Sequence, residues 1–267
     1  MSLIAISRGT KSGGVLLAEA VGSRMGAEIL SKDRLVQEAG MEQLEADIWE
    51  QIKDRPVQQL DGTLRLSRRQ YYANLRAKLL EYAAAEGMMV YHGNGSHLLL
   101  HDISCVLRVR LVAPIAVRVK LILDRLGGDE GEAIRYIHEK DEVRIKWTRF
   151  LYGLNNIDSP LSYDLIINLD RFTIELAADL VVKAVGMGCF RGGEERIVSL
   201  KNALTRARIE AALVNDARTE KLQLKVKVDG GRVTLVASDL TDPQLRDVTE
   251  IVQSVEGVYD VEPLPGV

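Results

Sequence analysis

One stretch near the N-terminus, residues 3–21 (LIAISRGTKSGGVLLAEAV), constrains the fold more than any other part of the 267-residue chain. Its first four residues are apolar, as in a strand that is buried on both faces of a parallel sheet. Residues 7–14 then supply three glycines, and apolar residues recur at helical spacing from Val15 onward. Backbone N–H groups in a glycine-rich turn and at a helix N-terminus attract anions. The stretch therefore predicts either a tight strand-to-helix turn or a cradle for a phosphate group.

The residues after the last glycine of this loop depart from the common phosphate-loop pattern. That pattern, G-x-x-x-x-G-K-[ST], places a lysine and a hydroxyl side chain directly after its second glycine. Here Gly9 and Gly14 match the two glycines, but Val15 and Leu16 come next. The usual cation for the phosphates and the usual hydroxyl ligand of Mg²⁺ are therefore missing from these positions. Lys11, inside the loop, is the nearest substitute cation.

The composition narrows the class of protein. Hydrophobic residues make up 46% of the chain and charged residues 27%, as in a globular protein with an apolar core. The net charge is −3, so no overall positive field attracts nucleic acid. No apolar run approaches the length of a membrane span, and the first residues lack the layout of a signal peptide. We therefore expect a cytoplasmic protein that does not bind nucleic acid, with Cys105 and Cys189 as reduced thiols.

Strands and helices alternate along residues 1–186, which predicts an α/β domain with a parallel sheet flanked by helices. The five predicted strands cover residues 3–6, 27–30, 88–91, 106–112 and 164–169. Among the predicted helices are one over residues 35–49, a long one that Ser67 caps, and one that Asp129 caps. Ligands of such sheets bind at the carboxyl ends of the strands, where this chain has polar and glycine-rich residues.

The pattern changes after residues 187–197, a glycine-rich and charged segment that is predicted to be a linker. Residues 198–267 contain a helix over residues 200–214, a hairpin of residues 222–228 and 232–237, a second helix and a short final strand. We therefore expect a second, smaller α/β domain at the C-terminus.

Short motifs spread over residues 1–186 resemble the cytidylate kinase-like family of phosphate-loop nucleoside monophosphate kinases. Their order and spacing make the resemblance specific, because each motif is short. They are Ile6-Ser7-Arg8 with Ser12-Gly13-Gly14, Asp33-Arg34, Gly93 with Gly95, RLVAP at 110–114, Lys140-Asp141 with Arg144, and YDLIIN at 163–168. The resemblance implies a phosphate-loop kinase fold and the ATP-dependent phosphorylation of a pyrimidine nucleoside monophosphate such as CMP, with Mg²⁺.

The resemblance also implies roles for individual residues, although it leaves the metal ligands unassigned. Expected catalytic cations are Lys11 and, on a mobile lid over residues 128–159, Lys140, Arg144 and Arg149. Expected ATP-binding residues are Arg8, Gly9, Thr10, Ser12, Gly13 and Gly14. Expected acceptor-binding residues are Asp33, Arg34, Arg69, Gly93, Asn94 and Gly95. Arg69 is one of four arginines in the acceptor region, with Arg65, Arg68 and Arg76, and the sequence does not choose among them. The alternative for the lid cations is a solvated charged helix face.

Two positions depart from the family pattern. Members usually have an arginine between the glycines after the third strand, where this chain has Asn94, and often a cation at the position of Val15. Stabilisation of transition-state charge is usually the largest catalytic term. Two hypotheses therefore stay open: an active kinase, or a catalytically impaired protein that binds or senses a nucleotide and signals through its C-terminal module.

Residues 198–267 resemble the BON domain, through GRVTL at 231–235 and VEGVYDV at 255–261. That family is supposed to attach to phospholipid or to partner proteins. This module has mixed charges and no basic helix, so an accessory or regulatory role is expected. Its partner, a protein or a phospholipid, and a homodimeric state are left open.

One further pattern suggests a metal site. His97 and His101 are four residues apart and Asp102 follows, but no third well-spaced ligand comes after them. We favour a structural role for both histidines, and a buried, inert thiol for Cys105.

Overall fold

The computed structural model describes residues 2–54, 62–85, 87–154, 156–190, 193–237 and 240–265, and within these ranges the chain forms two sheets. The larger sheet consists of β1 (Ser2–Arg8), β2 (Glu28–Ser31), β3 (Met88–Gly93), β4 (Val106–Val112) and β5 (Leu165–Asn168). All neighbouring strands are parallel, in the order β2-β3-β1-β4-β5. The predicted five-stranded parallel sheet is confirmed.

The central strand β1 is buried on both faces, which explains its continuous apolar run. Leu3 and Ala5 join the hydrophobic cluster on one face, and Ile4 and Ile6 join that on the other. At the carboxyl end of β1, Ser7 pairs in register with Gly93 of β3 and Arg110 of β4. The glycine-rich loop, residues 7–14, therefore begins where three strands end together.

Helices cover both faces of this sheet. They are α1 (Gly14–Met25), α2 (Lys32–Glu38), α3 (Glu42–Ile52), α4 (Gly62–Ala85), α5 (Ile115–Leu126), α6 (Glu130–Tyr152) and α7 (Ile174–Val185). Helices α1 and α7 pack on the face of Ile4, whereas α4 and the end of α6 pack on the face of Leu3. Asp129 caps α6 as predicted, because its carboxylate accepts a hydrogen bond from the Glu132 N–H at 3.0 Å.

Two predictions in the region between β2 and β3 are wrong. The single helix predicted over residues 35–49 is divided into α2 and α3, because Gly40 adopts a left-handed conformation with φ of 65°. Ser67 does not cap α4, which begins at Gly62, and the buried side chain of Leu64 anchors its first turn in the core. Residues 55–61 of the predicted connection lie outside the described residues.

The C-terminal region forms the second sheet. Its elements are α8 (Glu194–Asn215), β6 (Lys225–Asp229), β7 (Arg232–Ala237), α9 (Asp242–Gln253) and β8 (Asp260–Pro265). Strand β7 is central, antiparallel to β6 and parallel to β8. Val233, Val248 and Val252 are fully buried in a hydrophobic cluster of this region. The predicted α/β arrangement is present, while its likeness to a BON domain stays a prediction.

Helix α8 also packs against the larger unit. Leu200, Ala203 and Ala207 on α8 join the same cluster as Leu79 of α4. The helix begins at Glu194, inside the segment that is predicted to be a linker. No helix within the described ranges combines the length and the apolar character needed to cross a lipid bilayer.

Candidate functional site

The glycine-rich loop makes a tight turn between β1 and α1. Gly13 has φ of 78° and precedes the first helical residue, and Lys11 has φ of 55°, which a residue with a side chain rarely adopts. The Ser12 hydroxyl donates a hydrogen bond to the Gly9 carbonyl at 3.0 Å, which holds the turn closed. The loop therefore presents the start of α1 and its backbone N–H groups to the carboxyl edge of the sheet.

Gly14 is required because the side chain of Arg8 lies over the first turn of α1. A Cβ atom at position 14 would lie 1.9 Å from Cδ of Arg8. Burial lowers the pKa of Arg8, and the negative charge of Asp33 partly opposes this effect. Because Gly14 has no side chain, the half-buried guanidinium group of Arg8 can lie beside the first turn of α1.

Arg8, Arg110 and Arg118 all lie close enough to Arg144 for their charges to repel it, and we call these four residues the arginine cluster. Arg144 of α6 donates a hydrogen bond to the Arg8 carbonyl at 3.1 Å. Burial, followed by repulsion from Arg8, lowers the pKa of Arg144 to about 10. Arg110 of β4 contacts the Ser7 hydroxyl at 3.3 Å.

The carboxylates near this cluster balance only part of its charge. Asp141 pairs with Arg118 at 2.6 Å, and Asp158 pairs with Arg110 at 2.5 Å. Arg8 and Arg144 form no ion pair with a carboxylate in the described part of the chain. A buried cation without a partner is costly, and phosphate oxygens are strong, charge-assisted partners for guanidinium groups. The arrangement therefore favours a bound polyanion.

Asp141 links α6 to the loop. Its carboxylate accepts hydrogen bonds from the Thr10 N–H at 3.0 Å and from Arg118, which also donates to the Thr10 carbonyl at 2.7 Å. Burial alone would raise the pKa of Asp141, but the hydrogen bonds from Arg118 and Thr10 hold it below its ordinary value. A carboxylate on α6 thus occupies a backbone donor of the loop.

A cavity of about 250 Å³ opens between the loop, α5 and α6, and we call it the loop cavity. Its polar wall contains Arg8, Lys11, Lys140 and Arg144 beside the backbone of residues 12–14. Leu121, Ile122 and Leu126 of α5 add apolar surface to the lining, beside Arg125 of the same helix. The loop cavity therefore offers cations to phosphate groups and apolar surface to a ring.

The structure brings most of the predicted ATP-binding and catalytic residues together. Those that line the loop cavity are Arg8, Thr10, Lys11, Ser12, Gly13, Gly14, Lys140 and Arg144. Gly9 lies beside the guanidinium group of Arg118. Arg149 does not line the cavity; its Nε atom is buried without a hydrogen-bond partner among the described residues.

Asp33 is exposed in the first turn of α2. The other five predicted acceptor-binding residues divide into two groups, and the first group lies near the loop. Gly93 ends β3, and Gly95 has φ of 67° in the following turn. The Asn94 amide donates hydrogen bonds to the Arg144 carbonyl at 3.2 Å and the Thr148 hydroxyl at 3.0 Å. The residue that replaces the family's arginine therefore anchors α6 at the site.

Arg34 and Arg69 form the second group, because both guanidinium groups bind elsewhere. Arg34 pairs with Glu28 and Glu38 at 2.5 and 2.7 Å. Arg69 donates to the Glu220 and Leu222 carbonyls at 2.8 and 2.9 Å, in the C-terminal region. Neither residue lines the loop cavity.

Sequence reasoning missed Arg118 and Asp158. Arg118 lies in the first turn of α5, six residues beyond the end of β4, and its position at the carboxyl edge of the sheet is the signal that was available. Asp158 follows α6 in a polar loop, and nothing in its neighbourhood in the sequence points to Arg110.

The two histidines of the possible metal site do not act together. His97 is buried against the ring of Tyr163, with ring centroids 4.4 Å apart, and burial lowers its pKa to about 3. His101 is exposed and its ring contacts the Leu98 carbonyl at 2.9 Å. No group of three or more His, Cys, Asp or Glu side chains in the described ranges is arranged to hold a metal ion.

Comparison with known proteins shows which family the larger unit resembles. The model of the cytidylate kinase-like family matches residues 3–171. A cytidylate kinase from Methanopyrus kandleri is 30% identical over 79 residues, which are 30% of this chain and 40% of that protein. A uronate isomerase from Corynebacterium glutamicum is 30% identical over 101 residues, which are 38% of this chain and 19% of that protein. The chain thus spans less than half the length of either relative.

Among solved structures, an uncharacterized protein from Eubacterium ventriosum has a similar fold. The similarity covers 69% of this chain and 97% of that one, with 21% sequence identity and a TM-score of 0.52. At this level of identity the likeness concerns the fold alone.

Proposed function

The chain belongs to the cytidylate kinase-like family, and we propose that it transfers the γ-phosphoryl group of ATP to a pyrimidine nucleoside monophosphate such as CMP. The observation that supports this proposal most strongly is the pair Arg8 and Arg144, two half-buried cations beside the loop with no carboxylate partner among the described residues. Phosphoryl transfer asks the protein mainly for positioning and for positive charge around the transferring oxygens.

The arginine cluster would replace the cation that the loop lacks at position 15. Val15 is 37% exposed and supplies no charge. Arg8, held over the start of α1, and Arg144, held by the Arg8 carbonyl, are aimed at the same space as the loop. In this proposal they bind the β and γ phosphates, and Lys140 and Lys11 close the polar wall.

Mg²⁺ would neutralise charge on the phosphates when it is bound. It needs only one or two carboxylate ligands besides phosphate and water oxygens. Asp33 fits this need, because it is exposed at the start of α2 and makes no hydrogen bond or ion pair with any described residue. It comes two residues after the carboxyl end of β2, and its negative charge partly opposes the lowering of the Arg8 pKa by burial.

The acceptor would lie at the end of β3, between Asp33 and the turn of residues 93–95. Asn94 then acts by positioning: it holds α6 so that Arg144 faces the loop. We propose that Arg69 takes no part in acceptor binding, since its guanidinium group is engaged by the C-terminal region.

A second candidate function is supported by Val15 and Asn94. If the arginine cluster binds ATP without accelerating transfer, the chain is a nucleotide-binding or nucleotide-sensing protein. Its C-terminal region, proposed here as a BON-like accessory module of residues 198–267, would then pass on the signal to a protein or phospholipid partner. Co-sedimentation with liposomes tests the phospholipid arm, and a protein that stays in solution rejects it.

Incubation with ATP, Mg²⁺ and a panel of nucleoside monophosphates distinguishes the two candidates. We expect ADP to form with CMP, and Arg144→Gln to lower kcat/KM at least about hundredfold, as loss of a transition-state donor does. The matched control is Arg135→Gln, an exposed arginine on the same helix, which should leave the rate unchanged. Measurable ATP affinity without ADP would support the second candidate, and no affinity for any nucleotide would refute both.

Lys11 is tested separately. If Lys11 contributes to transfer, Lys11→Ala lowers the rate of ADP formation, and an unchanged rate removes it from the mechanism.

A further inference from the structure

A second and larger cavity lies where the C-terminal region meets the kinase-like unit. It has a volume of about 1230 Å³ and opens between the start of α4, the end of α6 and the segment before β6. We call it the interface cavity. None of its described lining residues also lines the loop cavity.

The walls of the interface cavity are largely apolar and aromatic. Tyr72 of α4 and Tyr152 of α6 form an edge-to-face pair with ring centroids 6.0 Å apart. Leu66, Leu98 and Leu151 continue this surface. Apolar walls with a few polar groups are typical of sites for small organic molecules.

The charged residues of the interface cavity are mostly positive. Arg65, Arg68, Arg69 and Lys221 line it, against one carboxylate, Glu220. Arg65 and Lys221 are exposed, and their side chains form no hydrogen bond or ion pair with any residue that the structure describes. A ligand that carries negative charge would therefore find two cations that no described carboxylate neutralises.

Hydrogen bonds from Arg68 and Arg69 link the elements that surround the interface cavity. Burial lowers the pKa of Arg68, whose Nε atom donates to the Leu151 carbonyl at 3.0 Å and joins α4 to α6. Arg69 donates to two carbonyls of the segment before β6 and joins α4 to the C-terminal region. The cavity is thus built from three elements that arginine side chains hold together.

From these features we propose that the interface cavity is a binding site, separate from the loop cavity, for an organic anion with an aromatic or apolar body. Its anionic group binds Arg65 and Lys221, and its body packs on Tyr72 and the leucines. Since one wall belongs to the C-terminal region, a bound ligand also stabilises the contact of that region with α4.

Two fluorescent probes that differ only in charge test this proposal. Anilinonaphthalene sulfonate is an aromatic anion, and N-phenylnaphthylamine has the same rings without the charge. In the wild-type full-length chain we expect one site for the anion, with a higher affinity than that of the neutral probe. The double variant Arg65→Gln with Lys221→Gln removes both positive charges. It should lower the affinity for the anionic probe by about tenfold for each charge removed and leave the affinity for the neutral probe unchanged.

The matched control is Lys225→Gln with Lys227→Gln, two exposed lysines on β6 that do not line the cavity. If the anionic probe binds the two double variants with equal affinity, the proposal is refuted. It is also refuted if Arg65→Gln with Lys221→Gln loses the same factor of affinity for the anionic and the neutral probe. Displacement of the anion by CMP would refute the separation of this site from the acceptor site. If neither CMP nor ATP displaces the anionic probe, the result supports two separate sites, whatever the result of the kinase assay.

Discussion

Replacement of Asp141 by asparagine separates two effects of the contact between α6 and the loop. The carboxylate accepts hydrogen bonds from Arg118 at 2.6 Å and from the Thr10 N–H at 3.0 Å. The two bonds use different carboxylate oxygens, and asparagine replaces one of these oxygens with an NH2 group, so one bond is lost and the other weakens to that of a neutral acceptor. Because the side chain of Asp141 is 30% exposed, we expect the free energy of unfolding to fall by only about 1 kcal/mol.

The effect on ATP binding should have the opposite sign. In the free protein the carboxylate occupies the Thr10 N–H, a donor that a phosphate would use, and its charge repels the phosphates. A unit charge about 5 Å from a phosphate, at an effective dielectric constant of about 40, contributes about 1.7 kcal/mol. We therefore expect Asp141→Asn to bind ATP on the order of tenfold more tightly than the wild type does.

The measurements are urea denaturation for stability and titration calorimetry with ATP, without acceptor, for affinity. Glu142→Gln is the matched control, because it removes the same charge from the next, exposed position of α6. If Asp141→Asn binds ATP no more tightly than Glu142→Gln does, the carboxylate does not compete with the phosphates. The assignment of the Thr10 N–H to phosphate binding would then be wrong.

Three further substitutions have defined outcomes. Gly14→Ala should weaken ATP binding by at least about tenfold, measured by calorimetry, because its Cβ displaces Arg8. Asp102→Asn should cost about 2 kcal/mol in urea denaturation near neutral pH, since it removes the negative charge 2.7 Å from the buried Arg76 and leaves only Glu210, 4.0 Å away, as a charged partner. His97→Phe should remove the part of the acid-induced loss of stability that develops between about pH 6.5 and about pH 3.

The signs of the two pH effects follow from the pKa values. Burial would raise the pKa of Asp102, but Arg76 and Arg206 lower it, so its stabilising effect is complete above the ordinary value of 3.8 and disappears as the pH falls through its folded value. The difference between wild type and Asp102→Asn should therefore shrink in acid. His97 stays neutral in the folded chain while the unfolded chain gains a proton below about pH 6.5, so acid favours unfolding.

Controls for these variants are available in the same chain. Gly62→Ala adds a Cβ that has no atom of the described residues within 4 Å, and it should leave ATP affinity unchanged. Asp124→Asn removes an exposed carboxylate of α5 and should leave stability within about 0.5 kcal/mol of the wild type. If His97→Phe keeps the full acid-induced loss, His97 is not the group that takes up the proton on unfolding.

Much of the kinase-like fold was predictable from the sequence because its strands are short apolar runs bounded by turn residues. Strand β4 has the predicted bounds of residues 106–112, and Asp129 caps α6 as expected. A run of apolar residues between turn signals leaves a buried strand few alternatives. The division at Gly40 was missed because the apolar spacing continues across it, although a glycine inside a helical pattern is the signal of a helix end that was available.

The turn of the glycine-rich loop was predictable from the sequence, and the partners of the arginines were less so. Glycines and hydroxyl residues in consecutive positions define the loop by local geometry alone. Which carboxylate an arginine meets depends on the fold: Arg34 and Arg69 were expected at the acceptor but bind partners elsewhere, and Arg118 was missed although it contacts the loop. Charge along a sequence does not reveal which cations a fold buries without partners.

Phosphorus NMR of a mixture of the protein, ATP, Mg²⁺ and CMP tests the central claim most directly. The account predicts that the two phosphorus signals of CDP grow as those of ADP do, and that both grow at least about hundredfold more slowly with Arg144→Gln but at the wild-type rate with Arg135→Gln. A mixture in which no diphosphate forms from CMP or any other nucleoside monophosphate, although the protein is folded and ATP is present, would contradict it.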